Sequence, residues 1–459
     1  MTETFVVIGG DAAGMSAASK AKRDDLDLDV VVFEKGDWVS YGACGMPYYV
    51  KGEIDSLDDL VSVTPEAFRE KRDVDLRLHH EVVGIDPEGG TVTVEHDGET
   101  FEQTYDHLLV ATGARAVEPP FEGMDLDGVY TMHDMDEAGE LRALLDEGGD
   151  VETVAVVGGG YIGIEMAEAF HGRGLDVHLF EMLPHVLQPF GETVAAAVED
   201  HLTDQGVTLH LDTAVEGFAG TDRVEAVDVG DERVPVDLVL VGVGVAPNAE
   251  LAEASGIELG PTGAVATDEY GRTNYENVYA AGDCAEARNV VTGGPDHVPL
   301  ALTANRAGRA VGQTVAGDPT PTGDIAGTAV VKAFELEAAR TGVIDHEVAE
   351  SAGFDPVSQT ITASSRAHYY PGAAELTVTL TADRETGRLL GGSMVGREGA
   401  AKRIDTVATA LTEGMTVGEV EYLDLAYAPP FSPVWDPVLT AAKVLNGKLE
   451  KASAGPADD

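Results

Sequence analysis

Cys44 is the residue of this chain whose type and surroundings point most directly to covalent chemistry. The 459 residues include two cysteines, Cys44 and Cys284. The residues five positions to either side of Cys44 are not cysteine, and a C-x2-C pair would need cysteine at Tyr41 or Pro47. Cys44 therefore has no nearby partner for an internal disulfide. We expect its oxidised form to be a mixed disulfide with a small thiol or a sulfenic acid.

The residues after Cys44 predict that its thiol is activated. Gly45-Met46-Pro47-Tyr48-Tyr49 is typical of a helix opening, because proline is tolerated in a first helical turn. The positive end of a helix dipole favours the thiolate of a nearby cysteine. We therefore expect the ionised form of Cys44 to be favoured.

A glycine-rich turn near the start of the chain is typical of a dinucleotide-binding βαβ unit. An apolar run at 5–8 precedes the turn, a helical pattern at 15–21 follows it, and a second apolar run at 30–33 ends at Glu34. Such glycines let the backbone approach a pyrophosphate, and the acidic residue accepts ribose hydroxyls. The second glycine position of the motif is aspartate. The turn consists of Gly9, Gly10, Asp11, Ala12, Ala13 and Gly14.

A second unit of the same kind follows about 150 residues later. A strand pattern at 154–157 leads into a full G-x-G-x-x-G motif, then a helical pattern at 164–170 and a strand at 177–180 that ends at Glu181. Two complete units, each closed by an acidic residue, predict two bound dinucleotides. The second turn consists of Gly158, Gly159, Gly160, Tyr161, Ile162 and Gly163.

The remaining patterns predict two further kinds of structure. Apolar runs at 108–114, 238–244 and 278–284 predict buried strands that end in small residues. After about residue 326 the pattern changes to alternating strands such as 375–380 and then to a helix at 400–412. This change predicts a separate C-terminal α+β domain.

The charge balance predicts a salt-rich environment. Lys and Arg number 29 and Asp and Glu 82, so the formal net charge is −53. Molar salt shortens the Debye length to about 3 Å and relieves such self-repulsion. We expect a halophilic, cytoplasmic protein, since the chain shows neither a long apolar run nor a signal segment. Nucleic acid and anionic membranes are poor partners at this charge. No spacing of cysteines predicts a metal site.

The motifs together resemble the FAD-dependent pyridine nucleotide-disulfide oxidoreductases. The resemblance rests on the two glycine turns, Ala111-Thr112-Gly113, Ala281-Gly282-Asp283, and Cys44 within the segment 40–49. It extends from residue 4 to about residue 447 and is strongest to the single-cysteine branch, which holds coenzyme A-disulfide reductases and NADH oxidases. The implied fold is α/β, with two Rossmann-like dinucleotide-binding domains, one for FAD and one for NAD(P)H, and a C-terminal α+β dimerisation domain.

The resemblance also implies domain limits and cofactor contacts. FAD would bind a domain made of residues 1–149 and 248–325, NAD(P)H would bind residues 150–247, and residues 326–447 would form the dimerisation domain. We predict a disordered tail at 448–459. FAD would contact the first turn, and NAD(P)H would contact the second turn. The additional cofactor contacts are Glu34, Lys35, Thr112, Gly113 and Asp283 for FAD, and Glu181 and Gly244 for NAD(P)H. Cys284, which follows Asp283 in a structural segment, is predicted to be packed and unreactive.

Two tyrosines of this chain match positions found in the disulfide reductases of the family, and a histidine of the peroxide-reducing relatives is absent. The disulfide reductases carry tyrosines that match Tyr369 and Tyr427, and these come from the partner subunit, which implies a homodimer. A phenol at the cysteine could donate a proton to a departing thiolate. Tyr370 is predicted to be an ordinary packing residue. The histidine that serves peroxide-reducing relatives is Ala12 here, which weakens that alternative.

The resemblance further suggests coenzyme A as part of the substrate. The residue before the cysteine, an asparagine in the coenzyme A reductases, is Ala43 here. Arg and Lys suit phosphate groups and are scarce in this chain. The positions that would contact coenzyme A are Ser16, Lys20, Arg23, Ser40, Arg72 and Asn305.

We therefore expect electrons to pass from NAD(P)H through FAD to Cys44 and then to a small-molecule disulfide, with coenzyme A disulfide favoured. Glu181 predicts NADH over NADPH, because no Arg or Lys occurs at 182–185 to bind a 2′-phosphate. Three alternatives stay open: a water-forming NADH oxidase that uses a Cys44 sulfenic acid, a persulfide or polysulfide reductase, and an electron-transfer flavoprotein without small-molecule turnover.

Overall fold

The computed structural model describes residues 2–148 and 151–453. The strands and helices before residue 120 are β1 (Thr4–Ile8), α1 (Ala12–Asp24), β2 (Asp29–Phe33), α2 (Met46–Lys51), α3 (Pro65–Arg72), β3 (Asp75–Arg77), β4 (Glu81–Asp86), β5 (Thr91–His96), β6 (Glu99–Thr104), β7 (His107–Val110) and β8 (Ala114–Ala116). Those from 129 to 241 are β9 (Val129–Tyr130), α4 (Met135–Asp146), β10 (Thr153–Val157), α5 (Tyr161–Gly172), β11 (Asp176–Phe180), α6 (Glu192–Gln205), β12 (Thr208–His210), β13 (Gly217–Gly220), β14 (Val224–Val229), β15 (Glu232–Pro235) and β16 (Leu238–Val241).

The later elements complete the first domain and form the third. From 245 to 315 they are β17 (Val245–Pro247), α7 (Glu250–Ala254), β18 (Val278–Ala280), β19 (Ala287–Arg288), β20 (Pro295–Asp296) and α8 (Ala301–Val315). From 329 onward they are β21 (Ala329–Ala333), β22 (Leu336–Gly342), α9 (His346–Ser351), β23 (Pro356–Ser364), β24 (Glu375–Asp383), β25 (Leu389–Gly396), α10 (Ala400–Thr412), α11 (Val417–Glu421) and α12 (Pro437–Ser453).

The first domain is built on a parallel five-stranded sheet in the order β18-β7-β1-β2-β3. Its strands β1, β2 and β7 are dominated by apolar runs, as expected where both faces of a parallel sheet are covered. Helices α1 and α8 pack closely because Gly308 and Gly312 face α1. A Cβ at Gly308 would collide with the carbonyl of Ala13, and one at Gly312 with that of Ala17. This close packing brings α8, which is distant in sequence, beside the first glycine turn.

The second domain contains a parallel sheet in the order β12-β11-β10-β16-β9. Strand β9 pairs in this sheet although it precedes the predicted start of the second domain at residue 150. Residues 149 and 150, on which that limit falls, lie outside the described residues. At the other end, β17 pairs with β8 of the first segment. These two pairings join residues on either side of the predicted limits at 149 and 247, and local sequence patterns do not encode such pairing between distant segments.

The C-terminal domain is an antiparallel sheet in the order β21-β22-β25-β24-β23. Alternate residues of β24, Leu376, Val378 and Leu380, are buried in a core with α10 and α12. Helix α12 continues to Ser453, so residues 448–453 are helical where the sequence predicted disorder. Leu445 and Leu449 are buried in the same core, and this packing extends the helix. The rest of the predicted tail, 454–459, lies outside the described residues.

Glu168 on α5 joins all three domains. Its carboxylate accepts hydrogen bonds from Lys51 of α2 at 2.8 Å, from Lys332 of β21, and from the backbone N–H of Phe334 at 2.7 Å. Glu168 is 4% exposed, whereas the side chains of Lys51 and Lys332 are 19% and 45% exposed. Removing both lysines would leave a buried carboxylate without a cation, which is strongly destabilising. Among the helices of the described residues, none has the length and apolar character needed to cross a membrane.

Candidate active site

The first glycine turn needs glycine at two of its positions. Gly9 has a φ of +109°, and a Cβ there would collide with the carbonyl oxygen of Ala111. A Cβ at Gly14 would collide with the carbonyl oxygen of Gly9. The turn therefore passes close under the end of β7 and leads directly into α1, whose first residue is Ala12. This is the geometry that the fingerprint predicts.

Glu34 and Glu181 occupy equivalent places in the two units. Glu34 Oε2 accepts from the N–H of Gly10 at 2.7 Å, and its Oε1 accepts from Gly36 at 2.7 Å. Glu181 Oε2 accepts from Gly159 at 2.7 Å, and its Oε1 accepts from Leu183 at 2.9 Å. Each carboxylate is thereby fixed beside its glycine turn and keeps lone pairs for ribose hydroxyls. Both units fit a dinucleotide.

Asp11 places a carboxylate at the glycine position of the first turn. Its Oδ1 accepts from the N–H of Tyr41 at 3.1 Å. Burial raises the pKa of Asp11 to about 6, and the charges of Glu34 and Asp283 add to the shift. Burial also raises the pKa of Asp283, whose carboxylate forms no hydrogen bond with a described residue. An unpartnered acceptor next to the turn suits a ligand hydroxyl, as predicted for the FAD ribityl region.

Among the other predicted FAD contacts, Thr112 and Gly113 lie in a segment fixed by hydrogen bonds, whereas Lys35 is exposed. Thr112 Oγ1 donates to the carbonyl of Asn248 at 2.6 Å, and Asn248 Nδ2 donates to the carbonyls of Thr112 and Ala114 at 2.9 Å each. Asn248 therefore positions the segment that contains Gly113, and no signal in the sequence marked it. Lys35 is exposed and forms no ion pair with a described residue.

The second turn repeats the constraints of the first. Gly158 has a φ of +108°, and a Cβ there would collide with the carbonyl of Gly242. Gly163 could not carry a Cβ without striking Gly158. At Gly160 and at Gly244, by contrast, a Cβ would meet open space, which is the room that a coenzyme phosphate needs.

Two side chains complete the second turn. The ring of Tyr161 packs edge-on against Phe190, with 5.4 Å between the ring centroids. Ile162 lies behind the turn, against Gly242. The predicted positions therefore form one contiguous turn at the start of α5.

Cys44 lies in a 3-10 turn, Ala43–Gly45, immediately before α2. The residue borders solvent. Desolvation by the surrounding protein, and then the charges of Glu165 and Asp283, raise the pKa of its thiol above the ordinary value. The expectation that a helix N-terminus favours the thiolate is therefore wrong for this geometry. Helix α2 has six residues, and the desolvation of the thiol, with the charges of Glu165 and Asp283 added to it, outweighs the small helix dipole.

Cys284 is packed as predicted. The residue is 0% exposed, and its sulfur lies 3.5 Å from the carbonyl oxygens of Val110 and Ala281. Burial raises the pKa of its thiol. A buried, neutral thiol of this kind is inert, so Cys44 is the accessible cysteine.

A cavity of about 420 Å³ lies between α1, α3 and α8. Five of the six predicted substrate contacts line it: Ser16, Arg23, Ser40, Arg72 and Asn305. Within it Ser16 Oγ donates to Asn305 Oδ1 at 2.6 Å, and Arg72 Nη1 donates to Ser19 Oγ at 2.7 Å. Lys20 does not line the cavity, because its ammonium pairs with Asp24 at 2.5 Å.

Two further arginines line the same cavity and were missed from the sequence. Arg306 and Arg309 of α8 line the cavity together with Arg23 and Arg72. Arg309 forms no hydrogen bond or ion pair with a residue in the described ranges. Four guanidinium groups around one cavity, in a chain with only 29 basic residues against 82 acidic ones, make it a site for a ligand with several negative charges.

The apolar part of this cavity comes from Met15, Phe68 and Leu302. The guanidinium of Arg72 stacks over the Phe68 ring, 4.7 Å from its centroid. The backbone N–H of Ser40 donates to the carbonyl of Gly10 at 3.0 Å. The cavity therefore adjoins the first glycine turn on one side and the chain segment leading to Cys44 on the other.

Tyr369 and Tyr427 come together at the surface of the C-terminal domain. Their phenol oxygens lie 3.4 Å apart. They are 64% and 47% exposed, in contrast to the 38% of Tyr370, which lies against Arg366. Several exposed apolar side chains follow Tyr427 along the chain: Phe431, Val434 and Trp435. Large exposed apolar side chains in this number are typical of a protein interaction surface.

Comparison with known proteins identifies the family. Residues 3–307 match the model of pyridine nucleotide-disulphide oxidoreductases, and residues 328–437 match the dimerisation domain of the same family. The chain belongs to the pyridine nucleotide-disulphide oxidoreductase family. Its fold, with two dinucleotide-binding domains and a C-terminal dimerisation domain, is the one that the motifs predicted.

Relatives within this family act on several sulfur substrates. The chain is 42% identical over 446 residues, which are 97% of this chain and 99% of the relative, to the NAD(P)H coenzyme A polysulfide/persulfide reductase of Pyrococcus horikoshii. It is 30% identical over 93% of its length to the coenzyme A disulfide reductase of Staphylococcus haemolyticus, of which 96% is covered. It also resembles the structure of an NAD-dependent persulfide reductase from A. fulgidus, with a TM-score of 0.94, 38% identity, and coverage of 98% of this chain and 84% of that one. The chain is therefore an NAD(P)H-dependent oxidoreductase of the FAD-dependent family.

Proposed function

We propose that this flavoprotein reduces a sulfur–sulfur bond attached to coenzyme A, either in coenzyme A disulfide or in coenzyme A persulfide, with Cys44 as its redox thiol. The observation that carries the proposal is the cavity lined by Arg23, Arg72, Arg306 and Arg309. Coenzyme A combines several phosphate charges with an adenine ring, and the cavity combines guanidinium groups with the apolar surface of Phe68 and neighbouring side chains. Relatives named for both substrates support the same assignment.

The residues of the two glycine turns would hold the cofactors. FAD would lie along Gly9–Gly14, Glu34 and Asp283, and the nicotinamide coenzyme along Gly158–Gly163 and Glu181. Bound FAD supplies the chemistry of passing two electrons from NAD(P)H to sulfur. NADH is the favoured coenzyme, because Glu181 is fixed where a 2′-phosphate would meet its charge.

Cys44 performs the exchange with substrate. Its thiolate attacks one sulfur of the substrate, a Cys44–sulfur bond forms, and the substrate sulfur–sulfur bond breaks with release of a thiolate. A phenol can donate a proton to that leaving thiolate. Tyr427 and Tyr369 would supply this proton from the partner subunit, because they are exposed on the domain that matches the dimerisation domain of the family. The enzyme is accordingly a homodimer.

The test compares electron acceptors in molar KCl, with the sulfur substrates assayed anaerobically and oxygen assayed in a separate aerobic reaction. NADH oxidation would be followed with coenzyme A disulfide, with coenzyme A persulfide, with glutathione disulfide, and with oxygen alone. We expect turnover with a coenzyme A substrate at least tenfold faster than with glutathione disulfide or oxygen. Faster turnover with oxygen alone would instead establish an NADH oxidase.

Two variants test whether the arginines of the cavity bind the coenzyme A substrate. Arg309→Ala and Arg72→Ala should raise the KM for coenzyme A substrates by about tenfold per guanidinium and leave kcat with glutathione disulfide unchanged. Arg233→Ala, at an exposed site far from the cavity, is the matched control. An unchanged KM in both cavity variants would contradict the proposal.

A further inference from the structure

A two-stranded antiparallel ribbon carries the chain from the sheet of the first domain to that of the second domain and back. Its strands are β8 and β17. At one end, the N–H of Asn248 donates to the carbonyl of Gly113 at 2.9 Å. At the other end, the N–H of Val117 donates to the carbonyl of Gly244 at 3.0 Å. The outgoing and returning segments are therefore paired along their whole length.

The ribbon also joins the two glycine turns. Gly9 of the first turn lies against the carbonyl oxygen of Ala111, three residues before β8. Gly158 of the second turn lies against the carbonyl oxygen of Gly242, three residues before β17. Each strand of the ribbon thus starts beside one turn. The pairing of β8 with β17 consequently sets the placement of one turn relative to the other.

A glycine with a positive φ precedes each strand of the ribbon. The φ of Gly113 is +69° and that of Gly244 is +120°, and a Cβ would meet open space at both positions. Glycine adopts many backbone angles at little cost. The backbone entering each strand therefore does little to fix the register of the ribbon, and side-chain hydrogen bonds must do so.

Asn248 supplies these hydrogen bonds with its whole side chain. Its Nδ2 donates to the carbonyls of Thr112 and Ala114 at 2.9 Å each. Its Oδ1 accepts from Nη1 of Arg115 at 3.0 Å. An amide side chain has two N–H donors and one carbonyl oxygen. Both donors and the oxygen of Asn248 are engaged by the strand that leads out of the first domain.

Arg115 supports the same contact. Its Nη1 also donates to the carbonyl of Pro247 at 3.2 Å, and its Nη2 pairs with Glu250 of α7 at 2.6 Å. The side chains of this ion pair are 52% and 65% exposed. Exposed ion pairs add little to stability. Asn248 is therefore the main link across the ribbon, and Arg115 is a secondary one.

The two domains also meet at α2 of the first domain and α5 of the second. Tyr48 Oη donates to Glu165 Oε1 at 2.8 Å, and Lys51 Nζ donates to Glu168 Oε1 at 2.8 Å. These contacts hold the domains together independently of the ribbon. Loss of the Asn248 side chain should therefore alter the register of the ribbon without unfolding the chain.

We propose that Asn248 is a positioning residue for electron transfer from NAD(P)H to FAD. By locking β8 against β17, it fixes the coenzyme site at the second turn relative to the flavin site at the first. Two electrons and one proton pass from coenzyme to flavin as a hydride, and Asn248 neither gains nor loses an atom. A misplacement of about 1 Å can slow such a step about a hundredfold.

The first test separates flavin reduction from flavin re-oxidation. Oxidised, FAD-containing enzyme would be mixed anaerobically with NADH in a stopped-flow instrument. In Asn248→Ala the limiting rate of flavin reduction should fall at least about tenfold, while the Kd for NADH changes less than about twofold. Re-oxidation of the dithionite-reduced variant by two equivalents of ferricyanide should keep its wild-type rate, because no coenzyme takes part.

Further variants separate hydrogen bonding from space filling. Asn248→Asp keeps the size of the side chain and the acceptor for Arg115 but loses both N–H donors, so it should reduce flavin as slowly as Asn248→Ala. Arg115→Ala should cause a smaller loss. Asn274→Ala is the matched control and should keep the wild-type rate. Asn274 forms two comparable bonds within the first domain, from the N–H of Glu258 and to the carbonyl of Gly256, at 3.0 Å each.

Hydrogen–deuterium exchange provides a measurement without turnover. In the oxidised enzyme without NADH, the amides of residues 113–117 and 244–248 should exchange faster in Asn248→Ala than in the wild type. The amides of β4, β5 and β6 in the first domain should exchange at unchanged rates. This result would place the effect of the substitution in the ribbon.

Wild-type rates of flavin reduction in FAD-containing Asn248→Ala and Asn248→Asp would overturn the proposal. An equal loss in Asn274→Ala, or an equally slow re-oxidation by ferricyanide, would also overturn it. If both Asn248 variants lose FAD, Arg115→Ala decides, and a wild-type rate there overturns the proposal. None of these measurements uses a sulfur substrate, so failure to reduce coenzyme A substrates would overturn only the proposed function.

Discussion

Tyr369 and Tyr427, 58 residues apart in sequence, meet with 3.4 Å between their phenol oxygens on the surface of one subunit. The hydrogen bond with Tyr369 raises the pKa of Tyr427, so Tyr427 keeps its proton at neutral pH. Both tyrosines are exposed, as are Phe431 and Trp435 farther along the same domain. A protonated phenol on a dimerisation surface is suited to serve the active site of a second subunit rather than its own.

Tyr427→Phe should lower kcat for disulfide reduction by at least about tenfold, because the leaving thiolate loses its proton donor. Reduction of the bound flavin by NADH, followed by stopped-flow absorbance, should not change. Tyr370→Phe is the control, and both rates should keep their wild-type values. A Tyr427→Phe enzyme with wild-type kcat would remove the phenol from the mechanism.

Cys44→Ser should abolish disulfide reduction and leave FAD bound, since the cysteine receives electrons after the flavin. The variant should also lack the thiolate-to-flavin charge-transfer absorbance of the two-electron-reduced enzyme. Cys284→Ser should reduce turnover less than twofold, because its sulfur is fully buried. Wild-type turnover in Cys44→Ser, measured by anaerobic NADH oxidation, would refute the assignment.

Asp11 predicts a pH-dependent stability of the first turn. The pKa of its carboxyl group is about 6 in the folded protein and 3.8 as its ordinary value, so the folded state binds more protons between these pH values. Stability should therefore fall as the pH rises from about 4 to 6. Asp11→Asn keeps an oxygen for the N–H of Tyr41 and loses the charge.

The expected result for Asp11→Asn is a gain of about 1–2 kcal/mol in unfolding free energy at pH 7.5 and almost none at pH 4. Denaturant unfolding of the holoenzyme in molar KCl at both pH values measures it. Tighter FAD retention at pH 7.5 should accompany the gain. Equal differences between variant and wild type at the two pH values would show that Asp11 does not titrate in this window.

The two glycine turns could be predicted from the sequence because their constraints are local. A Cβ at Gly14 or Gly163 would strike the first glycine of the same turn, and Gly9 and Gly158 take positive φ values, so the spacing alone reveals them. The same is true of a carboxylate such as Glu34, which ends a strand of that unit. Each of these features repeats wherever the βαβ unit is built.

Features that depend on the docking of distant elements could not be predicted. Arg306 and Arg309 reach the cavity only because glycines at 308 and 312 let α8 approach α1. The hydrogen bond between Tyr48 and Glu165 depends on how the coenzyme domain packs against α2. Lys20 was predicted to contact the substrate because of its residue type and position. Its ammonium group instead forms an ion pair with Asp24, one helical turn later.

The net charge of −53 predicts that the fold requires salt. Lowering the ionic strength lengthens the screening distance and restores repulsion among the acidic groups. The melting temperature should rise by at least about 10 °C between dilute buffer and 2 M KCl, and FAD should be lost on dilution. Sucrose at equal osmolality is the control for general solute effects. A melting temperature independent of KCl would contradict the halophilic interpretation.

Glu181 predicts that NADH is preferred over NADPH. Its carboxylate is fixed by the N–H groups of Gly159 and Leu183, so it cannot easily turn away from a ligand at the second turn. A 2′-phosphate bound there would face a like charge. Residues 182–185 contain no Lys or Arg, and the ring of His185 is held by Glu199 at 3.1 Å. No cation in this segment would offset the repulsion.

Glu181→Arg should therefore lower the ratio of kcat/KM for NADH to that for NADPH by at least about tenfold, which corresponds to about 1.4 kcal/mol. Glu181→Gln is the matched control. It removes the repulsion without adding a cation, so its ratio should lie between those of the wild type and Glu181→Arg. Because salt screens the charge on the phosphate, all three ratios should move toward one another between 0.5 M and 3 M KCl without changing order. A wild type that favours NADPH, or a ratio unaltered in Glu181→Arg, would show that this carboxylate does not distinguish the coenzymes.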